Sequence, residues 1–501
     1  METSEKTIAP TEQSLEDGEM QSQIQIDPVV EKRIVRKIDR VVLPLMCTVY
    51  FFQYLDKQSV GYAAVFGLRE DLHLTSGEYS WVVSIFYLGQ LVSEYAFIYL
   101  MSRLPVARFV AVMIVIWGVV AGCLASPHNF GGFAAVRFVL GACEGAVSPA
   151  FVIITSAWYK KQEHPIRVAA WVSCNGLASI VAALIMYGVG YAENVALANW
   201  RVMFLICGGA TIACGITFFA LMPQGPESAW FLTEEERKIA CARLHRDGFT
   251  EGNNNNSTEG EKGKKSFDKS QIKDALLDPL SWLSILLSFL GTFASPVLKF
   301  ASLVLNGFGW SKFNTMLVGL PSGAFQIFFI WATVLLIHTT RIPRCIWGIL
   351  VTIVPLIGNI GVACIPASNK WGVVIFTWLA SSISPVMVVS LSLMASNIKG
   401  TTKKAAVSNG YFIAYAVAAV AAPQLWQTKD APRYIKGVVA DIVCFGCIIA
   451  VFGVYAVLVG RENGRRDMLG EMQGVGAENG AGEGRKRDLT DREDLSFRYT
   501  R

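Results

Sequence analysis

Residues 107–126 read ARFVAVMIVIWGVVAGCLAS, and after Arg108 no charge interrupts the run. Its length is close to the ~20 apolar residues an α-helix needs to cross the hydrocarbon core of a bilayer. A basic, proline-containing turn, Arg103-Leu-Pro105-Val-Ala-Arg108, leads into it. On either side of it, runs of the same kind fall near 41–63, 79–101, 131–157, 168–190, 201–222, 280–305, 313–337, 345–366, 370–395, 404–426 and 437–459, making twelve in all. Of the 501 residues 53% are apolar and only 17% charged, against about 25% charged in soluble domains; the mean hydropathy is +0.42. The pattern is that of an all-α membrane protein with twelve transmembrane helices, and it excludes an ordinary soluble enzyme. A net charge of +5, dispersed in small clusters, gives no footing for nucleic acid.

The polar residues collect in three places, which sets the expected domain order. A disordered cytoplasmic tail (1–30) precedes a six-helix bundle (31–222), a cytoplasmic central loop (223–278), a second six-helix bundle (279–460) and a disordered cytoplasmic tail (461–501). The basic proline turn recurs six helices later as Arg341-Ile-Pro343-Arg344. Two parallel repeats joined by a long linker are a transporter architecture. Lys and Arg in the short connections number fifteen against seven in favour of both termini lying inside, the sense set by the positive-inside rule. The acidic first residues hold no apolar core of signal-peptide type. Ten of the eleven cysteines sit in apolar runs and read as packing residues, Cys444 and Cys447 included. Asn253–Asn256 reads as a flexible loop.

An ionisable residue inside a membrane helix costs ~2.5–3.5 kcal/mol on insertion scales, which makes each a functional candidate. Here these are Asp56 and Lys57 in helix 1, Glu94 in helix 2, Arg137 and Glu144 in helix 4, and Lys299 in helix 7. Arg137 and Glu144, seven apart, share one helix face. Asp56 and Arg137 are expected in the outer half of the membrane, paired if their helices are neighbours. Lys57, Arg137, Asp56 and Glu144 sum to zero, so a monoanionic substrate would favour uptake of one proton. Glu94 reads as a cytoplasmic gate or as a brace for Arg103. Lys299 has two readings, substrate contact and snorkelling to the interface. Tyr50, Tyr54, Phe86 and Tyr87 are aromatic candidates for a cavity wall. Gly141, Gly145 and Pro149, then Pro321 and Gly323, then Ser384-Pro385, mark possible breaks.

Several of these motifs carry a resemblance. Arg36-Lys-Ile-Asp39-Arg40-Val-Val-Leu-Pro44 followed by Tyr54-Leu-Asp56-Lys57 resembles the start of helix 1 in the anion:cation symporter family of the major facilitator superfamily. Arg137-Phe-Val-Leu-Gly141-Ala-Cys-Glu144, continuing to Pro149-Ala-Phe151 and Trp158-Tyr159, resembles that family's helix 4 signature. Glu94-Tyr95, Asn199-Trp200-Arg201, Asp278-Pro279, Gly307-Phe-Gly309 and Ala431-Pro432-Arg-Tyr434 are similar to the fungal allantoate permease branch. The resemblance implies a carrier of carboxylate-bearing nutrients, typically with protons. It implies that Lys57 and Arg137 hold the substrate's negative group, with Tyr54, Lys299 and Phe300 also at the substrate, and that Asp56 and Glu144 couple protons. Three positions depart from the branch: Ala96 replaces a proline, Lys299 a small polar residue, and Ala416-Val417-Ala418-Ala419 a Gly-Asn pair. Lysine at position 57 is a point charge and lacks the bidentate fork of arginine.

The leading reading is therefore a proton-coupled secondary transporter of a small organic anion, monomeric in a plasma membrane, without cofactor or metal. Export of an acidic metabolite by the same site, and a non-transporting nutrient receptor, are the alternatives. With five histidines and no metal-spacing or nucleophile motif, nothing points to a membrane enzyme.

Overall fold

The computed structural model describes residues 27–101, 103–192, 196–245, 268–340, 342–366, 368–473 and 489–500. The flexible loop expected at Asn253–Asn256 and most of the N-terminal tail lie outside them. The described residues are helical with no strand, and twelve spans are long and apolar enough to cross a membrane. In order these are Pro28–Val65, Ser76–Met101, Val106–Cys123, Phe130–Trp158, His164–Gly190, Asn199–Leu221, Pro279–Gly307, Lys312–Thr339, Arg344–Cys364, Lys370–Asn397, Thr401–Leu425 and Ile435–Leu469. The start of the first span and the end of the twelfth lie on one face, here the terminal face, because the number of crossings is even.

Helix starts follow local chemistry. Asp27, Asn129, Asp278, Ser311 and Asn369 each cap the span that follows, accepting a backbone N–H, the role short polar side chains fill at a helix N-terminus. Pro105 and Pro343 occupy the same place before the third and ninth spans, so the recurring basic turn is one structural feature used in both halves.

Three apolar runs that read as single helices are broken. The fourth divides into Phe130–Glu144 and Val147–Trp158, the seventh into Pro279–Phe293 and Val297–Gly307, and the tenth into Lys370–Ala380 and Ser384–Asn397. Pro149, Pro296 and Pro385 stand at or beside the start of each second segment, where a missing N–H costs nothing. Hydropathy cannot see such breaks, but the prolines mark two of them: a kink near Pro149 and a discontinuity at Ser384-Pro385 are expected from the sequence, and the break before Pro296 is not. The reverse holds at Pro321, where the expected discontinuity is absent and the helix is continuous. Gly323 serves packing instead. A Cβ there would meet the Gly176 carbonyl at 2.4 Å, so this glycine pair lets the fifth span of one bundle touch the eighth of the other.

Hydrogen bonds join the bundles most densely on the face opposite the termini. The Gln424 amide donates to Ser84 Oγ (2.9 Å), Ser84 Oγ to the Val420 carbonyl (2.8 Å), and Thr428 Oγ1 to Ser76 Oγ (2.8 Å). Tyr79 packs edge-on against Phe300, and Phe313 against Phe66 and Tyr191.

The C-terminal tail differs from expectation. The last helix runs on to Gln473, and residues 489–500 dock on the terminal face of the second bundle. Lys403, fully buried, lies 2.9–3.0 Å from Asp274, Asp278 and Asp491. Arg466 donates to the carbonyls of Asp491, Asp494 and Phe497, and Asn397 to that of Thr500. A charged sequence reads as solvated, but here the charges neutralise one another inside the protein. Burial works against ionising Asp494, yet the Lys399 ammonium and Ser496 hold its carboxyl below the usual range. Removing Asp491 takes away the acceptor for the Tyr499 hydroxyl and the Lys399 backbone N–H, and one of the three carboxylates around Lys403, for a loss of about 2–3 kcal/mol. Asp491→Ala is thus expected to lower the thermal unfolding midpoint by several degrees, measured by intrinsic fluorescence, and Arg498→Ala, at an exposed pair with Asp467, to leave it unchanged.

Candidate functional site

Between the bundles lies a narrow cavity whose wall includes Lys57, Gly61, Tyr79, Phe86, Tyr87, Arg137 and Lys299. Three cations from three spans thus converge on one space. Lys57 comes from the first span, Arg137 from the fourth and Lys299 from the seventh. Aromatic rings carry them. The Lys57 ammonium is 5.5 Å and the Arg137 guanidinium 5.0 Å from the Phe86 centroid, and the Lys299 ammonium is 4.1 Å from that of Tyr87. Each contact contributes ~0.5–2 kcal/mol, well short of replacing water around an ammonium.

Close helix approach makes the convergence possible. A Cβ on Gly141 would lie 1.9 Å from the Phe86 carbonyl, so only glycine lets the Arg137 helix rest on the aromatic wall. A Cβ on Gly61 would lie 2.6 Å from the Lys299 carbonyl, and Ser302 Oγ donates to the Gly61 carbonyl at 3.0 Å. Lys299 therefore stands at the seam of the two bundles and not at the lipid interface, which removes the snorkelling reading.

The carboxylates are distributed differently from the expected Asp56–Arg137 pair, and that pair is not formed. Glu144, fully buried, faces Lys57 at 3.5 Å, and neither of its oxygens accepts a hydrogen bond among the described residues. Asp56 instead accepts from the Trp117 indole N–H at 2.6 Å. The reason is helical geometry. Consecutive residues point about 100° apart, so when Lys57 faces the cavity Asp56 faces the interior of its own bundle and the third span. Arg137, 3% exposed, makes no ion pair among the described residues, and its Nε and Nη1 have no hydrogen-bond partner. Buried donors are satisfied in the great majority of cases, so this guanidinium is equipped for an acceptor that the protein does not supply.

Other sequence candidates fall elsewhere. Phe300 is fully buried against Tyr79, Trp426 and Tyr434; it backs the wall and does not line the cavity. Tyr54, half-buried beside Gln58, is also outside the lining, and Tyr50 packs on Phe151 and Trp171. Glu94 and Arg103 form no ion pair with each other among the described residues; Arg103 lies over the Tyr99 ring. The expected brace is absent in this arrangement. A second narrow void, sharing Gly61 and Lys299 with the first, is lined by neutral polar groups that include Gln58, Ser179, Thr315 and Gln326. Trp117 and this void were not legible in the sequence, since neither an indole nor scattered hydroxyls stand out in an apolar run.

The sequence pattern of the Major Facilitator Superfamily matches residues 46–423. The chain belongs to that superfamily. It is 34% identical over 505 residues to the allantoate permease of Saccharomyces cerevisiae, covering 96% of this chain and 89% of the permease. It is 36% identical over 473 residues to an uncharacterized transporter of Schizosaccharomyces pombe, covering 94% and 86%. These relatives place the transporter in the fungal allantoate permease-like branch. Among solved structures it is similar to a bacterial homologue of the human lysosomal transporter Spinster in an inward-facing, unoccupied conformation. The TM-score there is 0.60 and the identity 12%, over 82% of this chain and 95% of that one. It is also similar to the xylose transporter XylE of E. coli, with a TM-score of 0.58 at 14% identity over 82% and 96%. At those identities the likeness carries the fold alone. The molecule is a multi-pass membrane transporter of this superfamily, not an enzyme.

Proposed function

We propose that the transporter moves a small organic anion, carboxylate-bearing, by proton symport, with the terminal face in the cytoplasm of a cell whose plasma membrane holds it. The convergence of Lys57, Arg137 and Lys299 on one cavity between the bundles carries this reading. A cavity at the seam of two repeats is where such transporters hold their substrate. Three cations in it favour an anion over a neutral or cationic solute, and the relatedness to an allantoate permease agrees.

Proton coupling rests on the pair of Lys57 and Glu144. An incoming carboxylate docks on the unpartnered Arg137 guanidinium and draws the Lys57 ammonium toward itself. Glu144 then loses the Lys57 ammonium, its ion-pair partner among the described residues, while buried. An isolated carboxylate in such surroundings takes a proton in place of staying ionised. Binding of anion and proton thereby favour each other, and the loaded site reorients with less uncompensated charge. The hydrogen bonds of Ser76 and Ser84 to the eleventh span and the segment after it close the path to the opposite face, and their release would open it, in keeping with alternating access.

Uptake of labelled carboxylates into proteoliposomes tests the proposal. With acid outside, accumulation is expected to rise about tenfold per pH unit for each coupled proton, and to fall to equilibration when the two sides match. Accumulation indifferent to the pH gradient would overturn proton coupling.

A further inference from the structure

We infer that the substrate is a dianion whose two acid groups dock separately, one on Arg137 and the other on Lys299. The inference rests on the proton-coupled anion reading and sharpens it. Asp56 lies outside the cavity lining and Lys57 is balanced by Glu144, so the cavity wall keeps two uncompensated cations, Arg137 and Lys299. A monoanion would leave one of these charges uncompensated. A dianion offsets both.

Geometry points the same way. Glu144 is engaged by Lys57 and Asp56 by Trp117, so the two cations without a carboxylate partner among the described residues are Arg137 and Lys299. A cation held in the membrane interior without a counter-ion is costly and marks a ligand path. Lys299 also stands where the two voids meet, and the lining of the second contains no carboxylate. Its hydroxyl and amide groups, with Thr315 Oγ1 lacking a partner among the described residues, supply hydrogen-bond donors around an acid group bound to Lys299.

Matched acids separate the two acid groups. Succinate, glutarate and adipate are compared with their half-amides, which keep shape and one charge, for uptake into proteoliposomes at neutral outer pH. Wild type is expected to favour diacid over half-amide by about tenfold or more, near the strength of one charge-assisted contact. Lys299→Gln is expected to erase the preference, by losing diacid uptake and keeping half-amide uptake, and Lys299→Arg to restore it. Retained half-amide uptake shows that Lys299→Gln has folded; should it carry neither compound, detergent size-exclusion chromatography of the purified variant and the Lys299→Arg preference decide. A wild type that takes half-amides as readily as diacids, or a Lys299→Gln that lowers both alike while folded, overturns the dianion and leaves the anion transporter standing. Failure of wild type to take up any acid of either kind counts against the proposed function itself.

Discussion

Arg137→Gln cuts anion uptake by about 100-fold or more, while the variant still folds and inserts. A guanidinium meeting a carboxylate makes two parallel charge-assisted hydrogen bonds. Such bonds contribute about 1.5–3 kcal/mol each, and about 3 kcal/mol is roughly 100-fold in affinity. The stability cost is small for a structural reason. Arg137 holds no carboxylate among the described residues, and Nε and Nη1 are unpartnered, so replacing it orphans no opposite charge. Arg137→Lys keeps the charge over Phe86 but loses the fork, and uptake is expected between that of wild type and Arg137→Gln. Size-exclusion profiles and thermal midpoints in detergent establish folding; uptake unchanged in Arg137→Gln would remove this residue from the substrate site.

Glu144→Gln has a different signature: the anion still crosses, but the pH gradient no longer drives it. Glutamine is close in shape and cannot take up or release a proton near neutral pH. Accumulation driven by an acid exterior, about tenfold per pH unit per proton in wild type, therefore collapses to equilibration, while exchange of labelled for unlabelled anion continues. The substitution also leaves Lys57 without its partner, at a cost of up to about 3–5 kcal/mol for a broken buried pair, so the variant is expected to be less thermostable than Arg137→Gln. Asp56→Asn should behave otherwise. Its oxygen accepts from Trp117 inside the first bundle, away from the cavity lining, so the charge there affects helix packing before it affects substrate.

Much of this architecture was legible because lipid imposes simple demands. Apolar runs of membrane length located all twelve spans, and Pro105 and Pro343 marked the repeat. Lys57, Arg137 and Glu144 stood out because a charge in an apolar run has to be accounted for. What escaped notice involves contacts far apart in sequence. Trp117 meets Asp56 across 61 positions, and nothing in either run signals the other. Phe300 was placed at the substrate by resemblance, yet its ring belongs to the aromatic layer with Trp426. The first helix begins at Pro28, well ahead of the apolar run, since charged residues such as Lys32 and Arg36 end a membrane span without ending a helix. The docked segment around Asp491 looked like solvated tail because composition records charge but not its neutralisation by Lys403.

The central claim is that anion and proton cross together through this site. Its most direct test follows both at once, with labelled acid and a pH-sensitive dye trapped in the same proteoliposomes and no initial pH gradient. An inward substrate gradient is expected to acidify the lumen of wild-type vesicles in step with anion entry, and to leave the lumen of Glu144→Gln vesicles unchanged while anion still exchanges. Anion entry into wild-type vesicles without acidification would contradict the account.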